Sequence, residues 1–310
     1  MSKLISIVSP TYNEVDNINI LYNRLIKVWG NYKNYNFELI IIDNASIDGT
    51  IDSLKDIASK DKRVKLILNN KNYGHLRSPY WGMLQAQGDA VIFLASDLQD
   101  PPEIIPSFID EWERGYKVVL GIKPESKINP FSHLLRRIYY HVLNMASEIE
   151  MVSDATGFGL YDKKIMDHIR EIGDPIPYFR GLVCELGYEI KVVKFEQAKR
   201  MRGKTKNSFY SLYDMALKGF VNYSILPIRM ASILGFFFAA ISFFAFILLM
   251  LAKIFIYQGI PFWFAVFQII ILFLISLMLI FIGFLGEYIL LMIPYLKNRP
   301  IVIENERINF

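Results

Sequence analysis

A single cysteine, Cys184, rules out an internal disulfide; it stands between Val183 and Glu185 with no histidine at motif spacing and reads as core filler in a reducing compartment. Histidine is equally sparse: His75, His133, His141 and His168 are scattered and show no zinc spacing. The formal charge is only +4 over 310 residues, and no arginine-rich arm is present, so no nucleic-acid partner is expected. The amino terminus reads as no signal peptide, because Leu4 to Val8 is too short for an h-region and runs into Pro10. The first domain is therefore expected in the cytosol. Neither repeats nor low-complexity tracts interrupt the chain.

What is abundant is apolar surface, at 53% hydrophobic residues and a mean hydropathy of +0.28. It is unevenly spread. Residues 1–228 have ordinary globular composition, whereas 231–256 and 262–293 are almost wholly apolar and aromatic. Ala231–Phe255, about 25 residues or roughly 37 Å of helix, exceeds a hydrocarbon core of about 30 Å. Trp263–Gly286 predicts a second span, with Trp263 and Tyr288 at the interfaces and the Tyr257–Phe262 turn between. Arg229, Lys297 and Arg299 flank the pair while the turn is neutral, so both termini are expected in the cytosol. Lys253 snorkels from the outer end, and Glu287 reads as a solvated interfacial carboxylate.

Before the spans, strands expected at 4–9, 37–42, 64–69, 90–95 and 117–121 alternate with helices near 17–28, 50–59, 78–87 and 102–114. That spacing predicts an α/β fold with a doubly wound, mostly parallel sheet. Helical stripes also run over 131–146 and 208–222, the second an interfacial amphipathic segment within 206–228. The expected layout is a catalytic domain over 1–205, that segment, two spans within 229–293, and a cytosolic tail over 294–310.

The stretch I-F-L-A-S-D-L-Q-D-P-P-E, 92–103, is the centre of the chain. An apolar strand ends abruptly in Asp97, Gln99 and Asp100, and Pro101-Pro102 stops it. Oxygen ligands at the carboxyl end of a strand are where open α/β sheets bind ligands, and carboxylate with carboxamide suits Mg²⁺ or Mn²⁺ holding a diphosphate. The alternative for any single Asp is a polar turn.

Several stretches together resemble the family 2 glycosyltransferases, in particular the membrane-anchored polyprenyl-phosphate type (the dolichol-phosphate mannose synthase group and its bacterial relatives). They are V-S-P-T-Y-N-E at 8–14, I-I-D-N-A-S-I-D-G-T at 41–50, D-L-Q-D-P-P-E at 97–103, T-G-F-G-L-Y at 156–161, R-M-R-G-K-T-K at 200–206, and G-E-Y with N-R-P at 286–288 and 298–300. The resemblance implies a nucleotide-sugar-binding fold of the GT-A type. It assigns Pro10, Tyr12, Glu14, Ile42, Asp43 and Ser96 to the nucleotide, and Asp97 with Gln99 to the metal. Arg200 and Lys206 would close over the diphosphate, and Lys123 would act similarly, although the 200–206 loop also fits a solvated basic patch beside anionic lipid. Arg136 or Arg137 would meet an acceptor phosphate. Asp154 is given the acceptor side, for positioning rather than proton abstraction; a plain loop aspartate is the alternative.

The implied reaction is inverting transfer of a sugar, from a UDP- rather than GDP-linked donor, to a polyprenyl phosphate such as undecaprenyl phosphate at the bacterial inner membrane, serving envelope polysaccharide. The likeness also implies a homo-oligomer. Two other readings stay open: a transferase acting on a lipid-linked oligosaccharide or glycolipid in O-antigen or capsule assembly, and a non-catalytic nucleotide-sugar-binding subunit. The departures bear on this choice. Ala95 stands where relatives carry the first Asp of D-x-D, Asn44 replaces a second acid after Asp43, Gly159 replaces an arginine, and Leu291 stands where an arginine is expected. Fewer carboxylates predict weaker metal binding.

Overall fold

The computed structural model describes residues 2–122, 152, 155–175, 177–195, 261–297 and 299–310, together with positions 233, 234, 237, 238, 240, 241, 244 and 247. The alternation read from the sequence is present. β1 (Lys3–Thr11), β2 (Tyr35–Asp43), β3 (Val64–Asn69) and β4 (Ala90–Phe93) are joined by α1 (Val15–Gly30), α2 (Thr50–Lys60) and α3 (Gly74–Gln85). Then come α4 (Ile105–Glu113), β5 (Val118–Ile122), β6 (Ala155–Asp162), α5 (Lys163–Ile172), α6 (Phe179–Glu185) and β7 (Ile190–Lys194). The chain ends in α7 (Pro261–Lys297) and β8 (Glu304–Ile308).

The runs I-S-I-V in β1 and L-I-I-I in β2 are buried on both sides, as expected for strands covered by helices on each face. α1 presents Ile18, Leu21, Leu25 and Val28 to one core, and α3 presents Tyr80 and Met83 to the other. α3 starts at Gly74, four residues before the expected Ser78, and holds Pro79 inside it.

The sheet has eight strands in the order β7-β5-β6-β4-β1-β2-β3-β8. It is mixed rather than mostly parallel, which corrects the expectation. β1–β2, β1–β4, β2–β3 and β5–β7 pair parallel, whereas β6 runs antiparallel between β4 and β5, and β8 runs antiparallel to β3. β6, β7 and β8 are not among the five strands expected from the sequence, and a buried run such as that in β6 does not by itself reveal strand direction.

β8 is the larger surprise. Residues expected as a separate tail return to the main sheet, pairing Leu66 with Ile308 and Leu68 with Glu306. Val302 is buried beside it. Trp81 Nε1 donates to Glu304 Oε1 at 2.5 Å, and Asn309 Nδ2 donates to the carbonyls of Ala58 and Val64 at 2.8 Å. Ahead of it, α7 runs unbroken for 37 residues through Gly286 and Pro294. Within its stretch Phe273–Lys297 an 18-residue window has a mean hydropathy of 2.3 and is not buried within the protein, so the stretch is long and apolar enough to cross a membrane. Among the described residues it is the one such helix. Of the first expected span only the isolated positions above are described; they are helical, and the Phe238 ring meets Phe273 edge-on at 5.3 Å. The stripes at 131–146 and 208–222 lie outside the described residues.

Acid sensitivity follows from two carboxylates. Hydrogen bonding to Arg63, opposed by burial, brings Asp61 down to about 2. Burial pushes Asp162 up, but hydrogen bonds from Trp112, the Lys164 amide and Lys117 outweigh it, leaving Asp162 below its usual range. Both groups are depressed in the fold, so the stability they contribute is present above about pH 4 and lost as pH falls toward 2. Thermal unfolding of the detergent-solubilised chain is expected to hold level from about pH 5 to 7 and then drop, and less steeply so in Asp162→Asn; a flat profile to pH 2.5 would contradict this.

Candidate active site

Because β2, β1 and β4 are parallel neighbours, their carboxyl ends converge, and the loops leaving them share one edge of the sheet. Each of these loops carries a non-glycine residue in the left-handed region: Asn13 at φ 55°, Ala45 at φ 62° and Leu98 at φ 60°. Such residues cost about 1–3 kcal/mol each and persist only where the surroundings fix them. Here the fixing groups are plain. Ser46 donates its amide and hydroxyl to the Asp43 carboxylate at 2.8 and 2.5 Å. The Asn13 amide donates to Ser46 Oγ at 2.8 Å, and Asn13 Oδ1 accepts from the Ile47 amide at 2.9 Å. The Ser96 hydroxyl lies 2.9 Å from the Pro10 carbonyl and 3.0 Å from Thr11 Oγ1, tying the end of β4 to the end of β1.

The sequence candidates fall into three groups. Pro10, Tyr12, Glu14, Asp97 and Gln99 are half-buried at this edge. Asp97 and Gln99 alternate with buried Ser96, Leu98 and Asp100, which leaves the two oxygen-bearing side chains on the open side of their loop; Asp97 Oδ1 accepts from the Gln99 amide at 3.2 Å. Glu14 Oε2 accepts from Asn17 Nδ2 at 2.6 Å and braces the start of α1. Ile42, Asp43 and Ser96 form the second group and are buried, Ile42 in the core beneath α3. Burial raises the Asp43 carboxyl above its usual range against the pull of the Ser46 hydrogen bonds, with the Asp48 charge adding to the rise. Lys123, Arg136, Arg137, Asp154, Arg200 and Lys206 make up the third group and lie outside the described residues. Among the described residues, no cluster of three or more His, Cys, Asp or Glu stands ready to hold a metal.

A glycosyl transferase family 2 model matches residues 6–170, more than half of the chain. The chain belongs to glycosyl transferase family 2. Full-length relatives agree. The uncharacterized glycosyltransferase YkcC of Bacillus subtilis is 31% identical, over 96% of this chain and 92% of its own. A bactoprenol glucosyl transferase of Shigella phage SfV is 29% identical over 98% and 99%, and an SfII prophage-derived bactoprenol glucosyl transferase of Shigella flexneri 29% over 96% of each. A solved glucosyl-3-phosphoglycerate synthase from Mycobacterium tuberculosis, bound to Mn²⁺ and UDP, is 19% identical over 71% of this chain and 76% of that one, with a TM-score of 0.48.

Two of the positions at which the family resemblance leads one to expect a different residue have structural causes for the residue present. At Gly159 an added Cβ would lie 2.4 Å from the Val119 carbonyl, so β5 approaches too closely for any side chain. Asn44 is a four-way clamp. Its Nδ2 donates to Asn72 Oδ1 at 2.8 Å and the Gly74 carbonyl at 3.2 Å, while its Oδ1 accepts from the Tyr73 amide at 2.8 Å and Asn69 Nδ2 at 3.2 Å. An aspartate could not make the two donations. Sequence reasoning missed this role, although the cluster N-N-K-N-Y-G at 69–74 was a signal. It also missed a cleft between α3 and residues 177–180 that contains Phe93, Gly157 and Arg180. A wider groove of about 590 Å³ beside Lys117 and Lys191 lies at the amino ends of β5 and β7, away from the site.

Asn44→Asp is expected to cost about 1–3 kcal/mol, since a carboxylate facing the Gly74 carbonyl loses two hydrogen bonds and gains repulsion. Unfolding of variant and parent under the same conditions checks this, and an unchanged midpoint would refute the clamp.

Proposed function

We propose that this glycosyltransferase moves a hexose from a UDP-linked donor to a polyprenyl phosphate at the cytosolic face of a bacterial inner membrane, with inversion at the anomeric carbon. The observation that carries the reading is the likeness to bactoprenol glucosyl transferases over both the sheet and the apolar segments, which makes glucose the first sugar to test. α7 supports it physically. Ile275, Met278, Leu279, Ile280 and Ile282 are each half or more exposed, a surface that a bilayer removes from water. In this reading the first apolar segment pairs with α7 as a hairpin and both termini stay in the cytosol.

The chemistry asks little of a general base. A lipid monophosphate, with a second pKa near about 6, is largely ionised at neutral pH. One of its oxygens forms the new bond to the anomeric carbon as the bond from that carbon to the UDP oxygen breaks, and the electron pair leaves with UDP. Asp97 and Gln99 offer one charged and one neutral hard oxygen, a donor set that fits Mg²⁺ or Mn²⁺ when diphosphate oxygens and water complete it. Such a cation supplies neutralisation of the departing diphosphate. Tyr12 offers a ring for the base, while Asp43 and Ser96 act through the loops they brace. Arg200 and Lys206 are proposed for the diphosphate, with Lys123 beside them, Arg136 or Arg137 for the acceptor phosphate, and Asp154 for positioning it. A homo-oligomer remains part of this proposal.

The test is extraction of radiolabelled lipid after the full chain is incubated in lipid nanodiscs with UDP-glucose, undecaprenyl phosphate and Mn²⁺ or Mg²⁺. Glycolipid is expected, and Asp97→Asn is expected to lower turnover by about 10²–10³-fold with unfolding unchanged. No glycolipid across a panel of nucleotide sugars, or full activity in Asp97→Asn, would overturn the proposal.

A further inference from the structure

A cleft of about 110 Å³ opens between α3 and the segment leading into α6. Leu76 and Pro79 form one wall, Tyr178 and Phe179 the other, and Phe93 closes the end. Phe93 lies on β4 four residues before Asp97, so the cleft adjoins the candidate active site. Gly157, at φ 89°, forms part of the lining; even a Cβ there would come within 4.0 Å of the Phe93 ring. Besides the hydroxyls of the buried Tyr80 and Tyr178, its polar members are Arg180, half-buried, and His75, exposed. An apolar slot with a basic rim complements a ligand that joins a hydrocarbon to an anion.

Both walls are fastened to the part of the chain that leaves α7. On one side Arg77 Nη2 donates to the Pro300 carbonyl at 3.0 Å. On the other, the Tyr295 hydroxyl donates to Asp174 Oδ1 at 2.8 Å, three residues before Pro177 of the cleft. Tyr295 and Pro300 bracket the end of the apolar helix, so the cleft lies where that helix meets the catalytic sheet. Size then selects the occupant. A dry apolar cavity of about 150 Å³ takes a benzene ring, so this one takes a slightly smaller group, about one five-carbon unit.

The geometry points to this cleft as the acceptor subsite, holding the first isoprene unit of a lipid phosphate against Leu76, Pro79 and Phe93, with Arg180 and His75 adding positive charge to that proposed above for Arg136 or Arg137. The inference rests on the proposed polyprenyl-phosphate reading and adds where that lipid is gripped. Chain beyond the first unit lies outside the slot and along α7, so a short isoprenyl phosphate carries the features the site reads.

The test uses the full chain in nanodiscs and a geranyl monophosphate bearing a diazirine on its first isoprene unit. Photolabelling is expected on the peptides containing Leu76–Met83 or Tyr178–Arg180, and to be competed by unlabelled geranyl phosphate but not by geraniol. Leu76→Trp, which fills the slot, is expected to raise KM for undecaprenyl phosphate at least tenfold while leaving KM for UDP-glucose within twofold. Labels elsewhere overturn the subsite even if glycolipid forms. Labels here without glycolipid from any nucleotide sugar sustain the subsite and overturn the reading on which it was built. The wild-type labelling decides the matter should Leu76→Trp fail to fold.

Discussion

Pairing of β8 with β3 is the constraint from which the rest of the architecture follows. A 37-residue helix is about 55 Å long, well beyond a hydrocarbon core of about 30 Å, and the strand after it is hydrogen-bonded into the catalytic sheet. The helix cannot drift from the domain without unzipping an edge strand. Magnitudes show what holds that strand. The Lys55–Glu306 ion pair, with both side chains 42% exposed, contributes about 0–1 kcal/mol, whereas burial of Val302 contributes about 1.5–3 kcal/mol. Backbone pairing and the Trp81–Glu304 hydrogen bond add to the second sum. The edge is secured by packing, so high salt leaves it in place.

That anchoring gives meaning to the arrangement of the site. The loops after β1, β2 and β4 are held in left-handed backbone by a chain of short hydrogen bonds from Asp43 through Ser46 to Asn13, with Ser96 closing the other side. The buried polar residues serve as scaffold, and the half-buried Tyr12, Asp97 and Gln99 are what the scaffold presents. A rigid edge suits catalysis that is mostly placement, as in the proposed transfer to an already ionised lipid phosphate.

The fold was legible in the sequence where periodicity is strong. The first four strands and the first two intervening helices stand close to where apolar runs and helical stripes placed them, the third helix starts four residues early, and D-L-Q-D-P-P-E does sit at a strand end. What escaped was long-range. The direction of β6 depends on which neighbours it meets, and E-N-E-R-I at 304–308 is a polar edge strand with no apolar alternation to mark it. Asn44 read as a lost acid because its value lies in two donated hydrogen bonds, visible only once Asn72 and Gly74 are beside it. Of the nucleotide candidates, Asp43 and Ser96 stand at the same sheet edge as Asp97, as their spacing implied, but their burial is something no spacing reveals.

The tie between helix and sheet is most directly read by hydrogen–deuterium exchange of the full chain in lipid nanodiscs. The amides of Glu304–Ile308 should exchange as slowly as those of Val64–Asn69, and the two peptides should lose protection together when the sheet is loosened by denaturant. Free-chain exchange rates at Glu304–Ile308 beside a protected β3 would contradict the account at its base.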